Sequence, residues 1–220
     1  MRIDAAEVAR LVVAGQAPPA AWIPDIVELR LVRSYITDLR PVAALTALRH
    51  LDLTRSRITG IAPLAALKRL QRLHLSFTAV SDVTPLAGMA ELGGCFLTES
   101  LVEDAAPLAD LVDLERLDLG GTQVSDAAPL TRLHNLVSLD LSGTLISDIS
   151  PLAALTRLHY LDLTNAPITD LSPLAGLTAL RRLDLRGTTL DVSVLSHLTD
   201  CHIMTGPMMA RRRAPAAGSA

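Results

Sequence analysis

The leucines of this chain follow a pattern that no single helix or strand explains. An apolar, a polar and a second apolar residue recur as short alternating runs, such as Leu51-Asp52-Leu53 and Leu139-Asp140-Leu141. Period-two alternation predicts a short strand with its leucines in the core and its middle residue in solvent. The run returns every 22 residues, anchored at Leu29, Leu51, Leu73, Cys95, Leu117, Leu139, Leu161 and Leu183. Seven residues after each anchor stand Ile36, Ile58, Val80, Val102, Val124, Ile146, Ile168 and Leu190. Twelve after stands a proline, from Pro41 to Pro173. That proline opens a short helical or 3-10 segment, where a missing N–H costs nothing. Its apolar face reads as in Pro151, Leu152 and Leu155. One unit cannot bury these leucines alone, whereas stacked neighbours bury them together. The expectation is one solenoid of about eight parallel strands, spanning roughly 34 Å.

Composition agrees. Leucine accounts for 42 of 220 residues, while aromatic residues make up only 2%. Aromatic side chains normally carry much of an irregular core, so a core nearly without them must repeat one small aliphatic solution. No run of apolar residues is long enough to cross a membrane, and the N-terminus does not read as a secretory signal. Cys95 and Cys201 provide no disulfide framework, which fits a reducing compartment. The net charge of −3 disfavours bulk nucleic-acid binding.

The run Leu136-Val137-Ser138-Leu139-Asp140-Leu141-Ser142-Gly143-Thr144-Leu145-Ile146 resembles the leucine-rich repeat pattern LxxLxLxxNxI. Unit length and the segment Ile146 to Leu155 are most similar to the bacterial internalin-type class. The resemblance covers about residues 26–200. It implies an α/β leucine-rich repeat solenoid, with a curved parallel sheet on the concave side and short helical or 3-10 segments on the convex side. It also implies a protein-binding role. Ser or Thr stands where the family has Asn (Ser34, Ser56, Thr78, Ser100, Thr122, Thr144 and Thr188), so the expected side-chain ladder has fewer bonds. Neither the internalin N-terminal cap nor a cell-wall anchor is expected.

The organisation expected is a helical cap over 1–26, repeats over 27–200, and a cap remnant with a flexible basic tail over 201–220. Within the first cap, Asp4 to Ala14 reads as an amphipathic helix, with Asp4 as N-cap and Gly15 as stop. Trp22 is the expected lid on the first repeat. In the tail, the pattern decays after Leu198, and Arg211-Arg212-Arg213 supplies the charge.

The residues between the strand leucines form a column on the concave face: Arg30, Asp52, His74, Phe96, Asp118, Asp140, Asp162 and Asp184. The last four place carboxylates on adjacent strands. Either they form a cation site or a dock for a basic partner, or they are solvated strand residues. A second series, from Asp38 to Asp170, recurs in nearly every unit and reads as turn chemistry. One unit departs from the rest: Gly93-Gly94-Cys95-Phe96-Leu97 replaces the ordinary pattern. Two glycines weaken a strand and leave a depression. Phe96 and Phe77, with Arg72, His74 and Glu99 around them, then read as an interface anchor, since hot spots favour aromatics and Arg. The alternative is that Phe96 folds over the glycine gap. Tyr160 is a candidate second anchor.

No catalytic site is expected. Strand parity separates inward Cys95 from outward His74, and no phosphate loop or hydrolase motif is present. His197, Cys201 and His202 are only three candidate metal ligands, and neither metal nor cofactor is expected. Charge is uneven: residues 27–92 carry net +4, residues 93–180 net −9 and residues 181–220 net +3. Such polarity would steer a complementary partner and permits weak self-association. The expected role is a non-catalytic module that binds a protein partner, with no nucleic acid and no membrane. The expected location is cytoplasmic. The alternatives are an exported effector, or the recognition subunit of an enzyme or regulatory complex.

Overall fold

The computed structural model describes residues 3–207. Each LxL run forms a strand of three residues: β1 Glu28–Arg30, β2 His50–Asp52, β3 Arg72–His74, β4 Gly94–Phe96, β5 Arg116–Asp118, β6 Ser138–Asp140, β7 Tyr160–Asp162 and β8 Arg182–Asp184. All are parallel and follow one another in sequence order. Anchor pairs with anchor, Leu29 with Leu51 and Leu73 with Cys95, so every polar middle residue also faces its counterpart. A ninth strand, β9 His202–Met204, continues the sheet.

All eight expected strands form, and β9 adds a ninth that pairs Leu183 with Ile203 rather than with a residue 22 positions on. The last unit is two residues shorter, so its strand falls outside the repeat register. His202-Ile203-Met204 still alternates, and Leu185 N–H donates to the Met204 carbonyl at 2.8 Å. The order thus extends past the decay expected after Leu198. The Arg211–Arg213 tail lies outside the described residues.

On the convex side, helix α2 Arg40–Ala43 serves the first unit and 3-10 turns such as Ser150–Ala154 serve the others. A carboxylate precedes most of them. Asp38, Asp82, Asp104, Asp126, Asp148 and Asp170 each accept the backbone N–H two residues on, at 2.8–2.9 Å. This local bond closes the entry turn and satisfies an N–H that a short helix leaves orphaned.

The leucines form one continuous core, most of them fully buried. Each such side chain contributes about 1.5–3 kcal/mol. Helix α1 Ala5–Val13 closes the leading edge with Val8 and Val12 buried. The Asp4 carboxylate accepts from Ala6 N–H at 2.9 Å, and Gly15 follows the helix at φ +76°. Trp22 is half-buried against the core. The hydroxyl column differs from a ladder. Thr78, Thr122, Thr144 and Thr188 donate to the carbonyl three residues back in their own turn, at 2.6–2.8 Å. Ser34, Ser56 and Ser100 bury hydroxyls with no protein partner. A hydroxyl is too short to reach the next unit as an amide would.

Candidate functional site

The concave face is built from the residues flanking each strand leucine and from the turn after each strand. At β3 and β4 the two glycines shape it. The His74 and Phe96 rings stack face to face, with centroids 4.2 Å apart and planes within 4°. A Cβ on Gly94 would lie 3.2 Å from Phe96 Cε2 and 3.5 Å from Arg72 Cγ. Glycine lets the Phe96 ring settle there without the shift of a few tenths of an ångström that a Cβ would require. Phe96 therefore folds over the glycine gap and remains half-buried, with exposed Arg72 beside it. Burial lowers the pKa of His74, an effect that the Asp52 charge opposes.

The turn after each strand carries the strongest contrast along the molecule. The N–H of Ser34, Ser56, Ser100, Thr122, Thr144, Ala166 and Thr188 bonds to the carbonyl three residues earlier. The residue before each of these takes positive φ, as at the third position of a type II turn. In the C-terminal units this slot holds Gly121, Gly143, Asn165 and Gly187, at φ between +57° and +82°. In the N-terminal units it holds Arg33, Arg55, Phe77 and Glu99, at +52° to +58°. An L side chain in this region costs about 1 kcal/mol. Phe77 is 45% exposed, and the Arg55 guanidinium lies 4.6 Å above its ring. Glu99 folds across Gly121, whose Cβ would meet Glu99 Cδ at 2.8 Å.

Arg33, Arg55, Tyr35 and Arg57 were not singled out from the sequence. Tyr35 is 74% exposed, and Arg57 stacks over its ring at 4.5 Å. The missed signal was the slot itself: glycines recurring at one position in the second half mark a left-handed turn that the first half fills with large side chains.

The structure brings Arg72, His74 and Phe96 together. Phe77 forms its ring contact with Arg55, in a neighbouring stack, and Glu99 borders that stack on the next unit. Tyr160 stands apart on β7, three strands from β4 and about 14 Å away. Its hydroxyl donates to Asp162 Oδ2 at 3.1 Å, and Arg182 lies 5.7 Å from its ring. Burial, together with the Asp162 charge, pushes the phenol up to about 12.

The acidic column is aligned as its register requires, Asp118 beside Asp140, Asp162 and Asp184. Each carboxylate accepts the backbone N–H two residues on: Gly120 at 3.0 Å, Ser142 at 2.8 Å, Thr164 at 2.9 Å and Arg186 at 3.1 Å. Asp52 does the same with Thr54. These acids shape the turn after the strand, a role the sequence reading gave only to the convex series. Asp184 is buried against the Arg186 guanidinium at 2.6 Å. Burial pushes Asp140 up to about 6 against the pull of the Ser142 N–H, and the charges of Asp118 and Asp162 push the same way.

Cys95 is fully buried, and burial pushes its thiol up to about 12, far from the thiolate a nucleophile needs. Among the described residues no three His, Cys, Asp or Glu side chains converge on a possible metal position. Two shallow depressions of about 290 and 300 Å³ lie over β1–β3 and β3–β5, and Arg72 lines both. No helix among the described residues is long and apolar enough to cross a membrane.

A leucine-rich repeat family model (two copies) matches residues 112–154, 134–176 and 156–197. No curated protein matches the chain. Solved structures do. An internalin of Listeria monocytogenes is 27% identical with a TM-score of 0.72, covering 90% of this chain and 67% of that one. Internalin C2 of the same organism is 31% identical with a TM-score of 0.65, covering 81% of this chain and 92% of that one. A plant peptide hormone receptor, RGFR1, in complex with RGF2 shares the fold alone, at 17% identity and TM-score 0.70 over 83% of this chain and 32% of that one. The chain belongs to the leucine-rich repeat proteins. Within them its structure is internalin-like.

Proposed function

We propose that this protein is a non-catalytic interaction module that binds a protein partner on its concave face. Arg72, His74, Phe77, Phe96, Glu99 and Tyr160 are the proposed contact residues, with Arg55 added from the structure. One observation carries the reading. The N-terminal units hold large side chains in a left-handed slot that the C-terminal units give to glycine or asparagine. Backbone strain of this kind persists where the side chain serves something other than folding. Here it presents one exposed aromatic, Phe77, and two guanidiniums, Arg33 and Arg55, the residue types that dominate interface hot spots. The peptide-hormone receptor of the same fold, solved in complex with RGF2, supports the reading by likeness of architecture only.

The test compares wild type with Phe96→Ala in a pull-down, with melting temperature measured in parallel. The expected outcome is a partner retained by wild type and lost by the variant, with melting little changed. A variant that melts far lower yet keeps the partner assigns Phe96 to the fold and overturns its proposed role.

A further inference from the structure

The cations of the first four units are short of partners. Glu28 is held by Arg30 at 2.6 Å, Asp38 by Arg40 at 2.8 Å, and Asp52 accepts from Thr54 N–H. Arg33, Arg55, Arg57 and Arg72 have no salt bridge among the described residues, and all four are exposed. Two of them lie over aromatic rings, Arg55 over Phe77 and Arg57 over Tyr35. The result is a surface on which unpaired guanidiniums stand beside aromatic rings, with Glu91, Asp113 and Glu115 bordering Arg72 on the side toward β5. From β5 onward the same face carries the aligned carboxylates of Asp118, Asp140, Asp162 and Asp184.

This juxtaposition limits the occupant. β1 to β4 span about 14 Å, which four or five extended residues cover at about 3.3 Å each. A long polyanion laid along the face would run into the carboxylate column, so the charge pattern disfavours a nucleic acid. A short acidic stretch fits, and steering by opposite charge sets its direction along the axis. We propose that the concave face of β1–β4 receives a short acidic segment of a partner protein. Arg55 and Arg72 take its carboxylates, and Phe77 and the His74–Phe96 stack take an aromatic or aliphatic side chain beside them. The proposal rests on the protein-binding reading above and adds the chemistry of the partner.

The probe is a fluorescein-labelled peptide of about five residues, Glu and Asp around a central Phe, followed by anisotropy with the full chain at low salt. It is expected to bind about tenfold or more tightly than the same peptide with Lys and Arg in place of the acids, and to weaken as salt screens the charges. Arg55→Glu with Arg72→Glu should abolish that preference without changing the melting temperature. Lys68→Glu with Arg69→Glu makes the same change in net charge away from the concave sheet and should leave binding intact. Four outcomes overturn the proposal: no binding of the acidic peptide at millimolar concentration, equal binding of the basic peptide, equal loss in both double variants, or tighter binding of a single-stranded oligonucleotide of equal charge. A dimer of the chain alone that dissolves in the Arg55→Glu, Arg72→Glu variant assigns the site to a second copy and also overturns it. A pulled-down partner lost with Phe96→Ala but kept by the Arg55→Glu, Arg72→Glu variant sinks the acidic segment and leaves the protein-binding reading standing. A partner kept by both variants removes both.

Discussion

The first four and the next four units share a core and a convex turn chemistry and differ in the turn slot and strand column they show on the concave side. Leu51 and Leu139 occupy the same anchor and are equally buried. Yet the turn slot after the strand reads Arg33, Arg55, Phe77, Glu99 in one half and Gly121, Gly143, Asn165, Gly187 in the other. The middle strand column reads Arg30, Asp52, His74, Phe96 and then four aspartates. The second half is what this fold becomes when turn geometry alone chooses the residue. The first half shows the same geometry overridden, at a local conformational cost.

The largest expected effects test the shared part. Leu51→Ala and Leu139→Ala should each lose about 2–5 kcal/mol of stability, because each leaves a cavity that stacked neighbours cannot collapse into. Urea denaturation measures both, and a difference far beyond that range would break the equivalence of the two cores.

The turn slot comes next. A Cβ on Gly143 would meet only Gly121 backbone atoms at 3.8 Å, so Gly143→Ala isolates the conformational cost from any clash. It should lose about 1 kcal/mol. Phe77→Gly should gain a similar amount while weakening partner binding. Thermal melts of the two variants should move in opposite directions; movement in the same direction would mean that the halves do not differ in strain.

Asp140 supplies a smaller, pH-dependent contrast. Its folded pKa, about 6, lies above that of an unfolded aspartate. The folded state therefore holds a proton that the unfolded chain releases. The associated stability is present below about pH 4 and is lost as pH rises through about 6. Asp140→Asn keeps an acceptor for the Ser142 N–H. It should stabilise the protein at pH 7 by roughly 1 kcal/mol, after discounting for partial exposure, and by nothing below pH 4. Melts across that range check it, and an unchanged difference at both ends contradicts the assignment. The smallest effect expected is none: millimolar calcium should leave the melting temperature unchanged, because each carboxylate of the column already accepts a backbone N–H from its own turn.

The sequence made the solenoid legible because its anchors, prolines and inward aliphatics keep one register, and a stacked repeat allows few other solutions. It hid β9 because the final unit is two residues short. The turn role of Asp52, Asp118, Asp140, Asp162 and Asp184 was legible in principle, since each lies two residues before the N–H it accepts. Their place in the solvent column drew attention to charge instead. The left-handed slot was half legible: glycine announces positive φ, whereas Arg55, Phe77 and Glu99 do not. The His74–Phe96 stack follows from strand register and from Gly94 together, a pairing across two units that no single repeat displays.

The constant offset from β1 to β8 has a consequence for how such a surface changes over time. Removing or duplicating one unit shifts everything beyond it by a single strand spacing, about 4.8 Å, and presents the same faces to be sealed again. The distance between the cationic stretch and the carboxylate column is therefore graduated like the marks on a ruler. A lineage could retune it to the length of a partner by whole-unit gain or loss, without redesigning a single contact.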